Sequence, residues 1–166
     1  MPQFFGKYAG TVDQNIDPYG KGRLLVKVPA IFGDGTVWAL PCVPYAGSGV
    51  GFFAMPPVGA DVWVEFEAGD PGSPIWSGCY WKDNNSAPVF FSPVADKKKM
   101  LKTENCTLTL DDTPGLGGIS IEYKTQTGTL KIDIKPEGIE ITNGLQATVK
   151  LEGPKVSING SALEVM

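Results

Sequence analysis

The chain has 166 residues, room for one ordinary domain or two small ones, and its 21 glycines and 14 prolines are the turn chemistry of an all-β protein. A formal net charge of −4 gives no reason to expect nucleic acid, and no apolar run approaches the ~18 residues that cross a membrane, so no stable membrane anchoring is expected. Histidine is absent, which removes the commonest general base, the commonest metal ligand and every histidine-containing triad; no catalytic, metal or cofactor residue is assigned.

The first residues, Met1-Pro2-Gln3-Phe4-Phe5-Gly6, lack the basic-then-apolar pattern of a signal peptide, so synthesis and folding in the cytoplasm are expected. Strands are expected near 5–12, 22–28, 37–43, 61–67 and 74–80. In Asp61-Val62-Trp63-Val64-Glu65-Phe66-Glu67 the alternation sends Val62, Val64 and Phe66 inward and places Trp63 with Glu65 on the other face. Trp63 is then free to pack on a neighbouring subunit or another partner. Turns stand at Asp17-Pro18-Tyr19-Gly20, Gly33-Asp34-Gly35, Pro57-Val58-Gly59 and Asp70-Pro71-Gly72. Five strands without a helical pattern fit a small closed barrel, for which the five-stranded OB fold is the natural candidate. Cys42, Cys79 and Cys106 form no CxxC pair and read as small buried or half-buried hydrophobes.

Composition breaks near residue 100. All four tryptophans and all eight phenylalanines lie at or before residue 91, and after residue 100 the only aromatic is Tyr123. Residues 1–96 carry 5 basic and 9 acidic side chains, residues 97–166 carry 9 of each. The expected organisation is a barrel over 1–91, a linker over 92–103 and a second unit over 104–166. In that second unit apolar residues recur two apart in short bursts: Leu108/Leu110, Ile119/Ile121/Tyr123, Leu130/Ile132/Ile134, Ile139/Ile141, Val149/Leu151, Val156/Ile158 and Leu163/Val165. Glycine or Pro-Gly separates many of them, so the segment reads as an imperfect repeat of strand and turn. One such face is a thin core for a single chain. Several copies around a shared axis would bury every inward face and pair the strand edges; a second monomeric sandwich is the alternative.

Phe5-Gly6-Lys7-Tyr8-Ala9-Gly10-Thr11-Val12, Asp17-Pro18, Gly22-Arg23-Leu24-Leu25-Val26-Lys27-Val28-Pro29 and, above all, Trp38-Ala39 with Pro44-Tyr45-Ala46-Gly47-Ser48-Gly49-Val50-Gly51-Phe52-Phe53 resemble the OB domain of central spike proteins of contractile phage tails and type VI secretion, the gpV- and VgrG-like baseplate spikes. Lys99-Met100-Leu101-Lys102-Thr103 and Thr107-Leu108-Thr109-Leu110-Asp111-Asp112-Thr113-Pro114-Gly115 resemble the entry into that family's needle. The resemblance implies an N-terminal OB-fold barrel followed by a C-terminal intertwined triple-stranded β-helix, assembled as a homotrimer. The thirteen residues Leu108, Leu110, Ile119, Ile121, Leu130, Ile132, Ile134, Ile139, Ile141, Val149, Leu151, Val156 and Ile158 would form the trimer core.

It also implies a mechanical role, a needle driven through a target envelope, with baseplate hub and tube proteins at the N-terminal end and assembly in a virion tail or injection-device baseplate. Some relatives insert a lysozyme domain between barrel and needle, for which this chain has no room. Others close the needle with a His-x-His iron site, which this chain cannot supply. Leu163, Val165 and Met166 are therefore the expected platform for a separate PAAR-type tip protein. Two rival functions are open. A barrel of this kind could bind single-stranded nucleic acid or oligosaccharide through Trp38, Phe52 and Trp63, with Lys97–Lys99 as a small basic run, although it lacks a positive groove. A hydrolase would need paired carboxylates, for which Glu65/Glu67 and Asp111/Asp112 are the candidates and read as a solvated strand face and a turn.

Overall fold

The computed structural model describes residues 2–83, 86–88, 93–160 and 162–165. It divides into two compact units, residues 1–86 and 87–166. Among the described residues no helix is long and apolar enough to cross a membrane.

The first unit is a closed barrel. Its strands are β1 (Tyr8–Gln14), β2 (Leu24–Lys27), β3 (Thr36–Pro41), β6 (Asp61–Phe66) and β7 (Pro74–Cys79), paired in the order β1-β2-β3-β7-β6 with β6 returning to β1. All pairs are antiparallel except β3–β7, where Leu40 faces Ile75 and Pro41 faces Trp76. A one-turn helix α1 (Pro29–Phe32) precedes β3; Pro29 pre-sets its first turn and Gly33 ends it. A small hairpin, β4 (Ala46–Gly47) and β5 (Val50–Gly51), stands off between β3 and β6. The five strands close as their spacing predicts. Register shifts in β1 between Val12 and Gln14 and in β6 between Val62 and Val64 supply the local bend that closure needs.

Alternation decides what goes inside. Val12, Leu24, Val26, Val28, Ala39, Val62, Val64, Phe66 and Trp76 form the buried core. Phe66 sits among the rings of Phe4, Tyr8 and Phe32, with centroids 6.0, 5.6 and 5.9 Å away. Trp63 does point outward, but its ring is already taken: it stacks on Tyr80 of the same chain at 4.4 Å. The cysteines also differ from expectation. All three are free and exposed: Cys79 and Cys106 are terminal residues of their strands and Cys42 follows the end of β3.

The Asp17–Arg23 turn is locked by charge. The Asp17 carboxylate, 3% exposed, accepts the N–H groups of Tyr19, Lys21 and Arg23 and two guanidinium bonds from Arg23, at 3.1 and 2.8 Å. Arg23 is stacked against the rings of Tyr19 and Trp38. The Arg23 hydrogen bond, opposed by burial and helped by the backbone N–H groups, holds the Asp17 carboxyl well below the usual carboxylate range. A depressed carboxyl pKa stabilises the fold above the unfolded value, about 3.9, and that stability is lost only as the pH falls toward the lower folded value. Asp17→Asn is therefore expected to lower the barrel's melting temperature at pH 7 and to remove part of its acid sensitivity below about pH 4. Tryptophan fluorescence reads this directly, since every tryptophan lies in the barrel.

The second unit is one eight-stranded antiparallel sheet in chain order: β8 (Lys98–Lys102), β9 (Cys106–Asp111), β10 (Gly118–Lys124), β11 (Thr129–Lys135), β12 (Gly138–Thr142), β13 (Thr148–Glu152), β14 (Lys155–Ile158) and β15 (Leu163–Val165). Short turns make each strand the neighbour of the next. Residues 98–102, read from sequence as linker, form β8 by backbone pairing to β9, which their lysine-rich side chains do not advertise. The ladders close within the one chain, so its unpaired edges lie on β8 and β15, and what the sheet leaves without a cover is its faces.

Candidate functional site

The register of the second unit lines up the apolar bursts across seven strands. Leu110 faces Ile119 and Ile119 faces Ile134; Leu108 faces Ile121 and Ile121 faces Ile132. The rows continue through Ile132–Ile141 and Ile134–Ile139 to Ile139–Leu151 and Ile141–Val149. They end as Val149–Ile158, Leu151–Val156, Val156–Val165 and Ile158–Leu163. Directly opposed residues share a face, so all thirteen expected core residues lie on one side of the sheet, with Leu163 and Val165 at its last strand. Met166 lies outside the described residues. Tyr123, opposite Leu130 and Cys106, and Leu101, opposite Leu108, belong to the same face.

Among the described residues of the second unit, none covers this face. Most of these residues are roughly 40–50% exposed, Leu163 and Val165 somewhat more. At about 70 Å² per half-exposed aliphatic side chain the stripe amounts to on the order of 900 Å², against the few hundred Å² that a soluble monomer ordinarily leaves bare.

The other face is polar and satisfied within the chain. Lys131 bonds Glu122 at 3.2 Å across the ladder and Asp133 at 3.0 Å along its own strand. Lys150 pairs with Glu140 at 3.5 Å and Lys98 with Asp111 at 3.5 Å. Burial pulls the Lys131 ammonium down, but its hydrogen bonds to Asp133 and Glu122 outweigh this and leave it above the ordinary lysine value. Such partly exposed pairs contribute little stability each; their effect is to fix register.

Apart from Phe52, most residues of the rival readings are engaged elsewhere. Trp63 is stacked on Tyr80, and Trp38 packs on Arg23, whose charge is spent on Asp17. Phe52 is exposed on the segment after β5. Lys97, Lys98 and Lys99 each sit against a carboxylate, those of Asp96, Asp111 and Asp112. The hydrogen bond from Lys7 at 2.9 Å holds the Glu65 carboxyl below its usual range, the opposite of what a general acid needs. Asp111 is held down by its bonds from Thr113 and by Lys98. Among the described residues no group of three or more cysteines and carboxylates is placed to hold a metal.

Sequence reading missed two exposed leucines, Leu116 and Leu145, which stand in turns outside the alternating bursts. Their signal is a shared one: Thr113-Pro114-Gly115-Leu116 and Thr142-Asn143-Gly144-Leu145 both set a leucine directly after a glycine with positive φ.

Comparison with known proteins covers both units. Residues 8–81 match the family model described as the type VI secretion system/phage-baseplate injector OB domain, and residues 98–164 match the phage baseplate V C-terminal trimerisation domain. Over 67 residues, 40% of the chain, it is 39% identical to the actin cross-linking toxin VgrG1 of Vibrio cholerae serotype O1. Over 95 residues, 57% of the chain, it is 33% identical to the type VI secretion system spike protein VgrG3 of Vibrio cholerae serotype O1. The matched stretches amount to 6% and 9% of the length of those two relatives.

Proposed function

The chain belongs to the family of type VI secretion and phage-baseplate spike proteins, and on that premise we propose that three copies assemble into a rigid needle that is driven mechanically through a target envelope. The observation that carries this reading is the bare aliphatic stripe across β9–β15, which falls within the matched trimerisation domain. Three such sheets, apolar faces turned to a common axis and charged faces outward, bury every stripe at once. A closed prism of hydrogen-bonded sheets has no slack under compressive load, and its work is mechanical.

The barrels meet the hub and tube proteins. Their hairpin region supports this, since Tyr45, Val50, Phe52 and Phe53 are exposed around an apolar groove beside Trp76. Leu163 and Val165, on the last strand and tripled by symmetry, make a small apolar platform that a PAAR-type cap with a three-fold base would cover. Removing residues 161–166 is expected to abolish capture of such a cap in a pull-down while the trimer persists, because eleven of the thirteen proposed core residues pair only with strands upstream of β15, and Val156 and Ile158 keep their partners on β13. Cap capture that survives the deletion sinks the tip assignment; a trimer that dissociates shows the segment to be structural.

A further inference from the structure

We propose that the second unit is a conformational switch operated by assembly: in a single chain the strands β8–β15 stay unfolded while the barrel is folded, and the eight-stranded sheet forms only as three chains come together. This rests on the trimeric reading above and adds the order of events. A free subunit carries a folded barrel and an unfolded tail, and no needle exists before its three chains meet.

The two units differ in what they bury. Nine apolar residues, from Val12 on β1 to Trp76 on β7, form a buried core, and all nine belong to the barrel. Among the described residues of the second unit Ser157 alone is buried, and it stands on the polar face opposite Lys150. Ile121, in the middle of the apolar rows, is still 50% exposed. Folding removes backbone and side-chain freedom at every residue, and apolar burial is the main term that offsets this loss. The barrel has that term within itself. The sheet has backbone hydrogen bonds and half-covered side chains, without the second layer that an apolar face needs.

Nothing else in the second unit substitutes for a core. Its ladders run only between strands adjacent in sequence, so no distant part of the chain clamps the sheet. Small folds with thin cores are held by disulfides or metals, but Cys106 is the only cysteine after residue 100 and it is free. The ion pairs of the polar face are partly exposed and individually weak. The cover has to come from other chains, and stability is then inseparable from their concentration. The consequence is protective. A folded single sheet would present a preformed aliphatic stripe and two open strand edges to any passing surface; an unfolded tail presents neither.

The full-length Ile132→Asp protein provides the first test, because the trimeric reading makes it a monomer. Ile132 lies on the open face, 38% exposed in the chain alone, so a sheet that folds by itself would tolerate aspartate there. Hydrogen exchange read by mass spectrometry should show the amides of β8–β15 exchanging at least ~100-fold faster than in the wild-type trimer. Tryptophan fluorescence should stay native, since every tryptophan lies in the barrel. A monomer whose β9–β14 amides remain protected overturns the switch and leaves the trimer standing. A wild-type chain that sediments as a monomer with those amides protected overturns the trimer and the switch together. Urea unfolding of the wild-type protein decides the matter without any substitution. Between about 1 and 100 µM chain, loss of the sheet should move to higher urea with concentration and coincide with dissociation by sedimentation, while the tryptophan transition stays in place. A sheet transition that ignores concentration, or that follows dissociation as a separate step, refutes the proposal.

Discussion

Replacing Ile132 with aspartate is expected to abolish the trimer. Ile132 stands in the middle of the apolar face, between Ile121 on β10 and Ile141 on β12, and is 38% exposed in the chain alone. Threefold assembly would bring three copies toward one axis. Each substitution removes a buried aliphatic side chain, about 2–5 kcal/mol, and sets an unpaired carboxylate in its place, several kcal/mol more. Summed over three chains the loss is on the order of 15 kcal/mol, beyond what an assembly of this size withstands. The carboxyl would escape part of the cost by staying protonated, which raises its pKa in the trimer. A raised carboxyl pKa makes the assembled state bind more protons, so any residual trimer should gain stability as the pH falls. Thr109→Asp is the control: Thr109 faces Ser120 on the polar side of the sheet, and the trimer should survive there. Equal tolerance of the two substitutions would mean that the faces are assigned the wrong way round.

Gly138→Ala is expected to be nearly as damaging, for a different reason. Gly138 opens β12, where the backbone of β13 passes so close that an added Cβ would lie 2.0 Å from the Leu151 carbonyl oxygen. Neither atom is the end of a flexible side chain, so the β12–β13 ladder has to separate and the Ile139–Leu151 pair on the apolar face separates with it. Loss of that register should cost several kcal/mol and show as a large drop in the melting temperature of the second unit by circular dichroism. Gly153→Ala is the matched comparison. Gly153 also has positive φ, but nothing lies within 4 Å of its added Cβ, so only about 1 kcal/mol of backbone strain is expected there. A Gly138→Ala protein that melts like the Gly153→Ala protein would contradict the close approach.

The two units were legible in the sequence to different depths. In the barrel, period-two alternation is a direct statement about faces, and Val62, Val64 and Phe66 are buried as their spacing requires. Alternation does not say what lies against the outer face, so the Trp63–Tyr80 stack, between residues 17 apart in sequence, stayed hidden. Nor does it mark a strand whose side chains are mostly charged: β8 is held by backbone pairing to β9. In the second unit the bursts marked the strands, and the turns between them dictated the meander. The hollow between Tyr123 and Leu130 arises only when two strands are set side by side, and Leu116 has no strand periodicity at all. A single amphipathic face says that a cover is needed and leaves the number of copies open. The match to a trimerisation domain supplies the three.

The claim on which the rest depends is that three chains share their apolar faces. Native mass spectrometry of the wild-type protein, together with sedimentation equilibrium across micromolar concentrations, tests it most directly. A single species at three times the 17.7 kDa chain, unchanged on dilution, is the predicted result. A compact monomer at all concentrations, with its aliphatic stripe left in water, would contradict it.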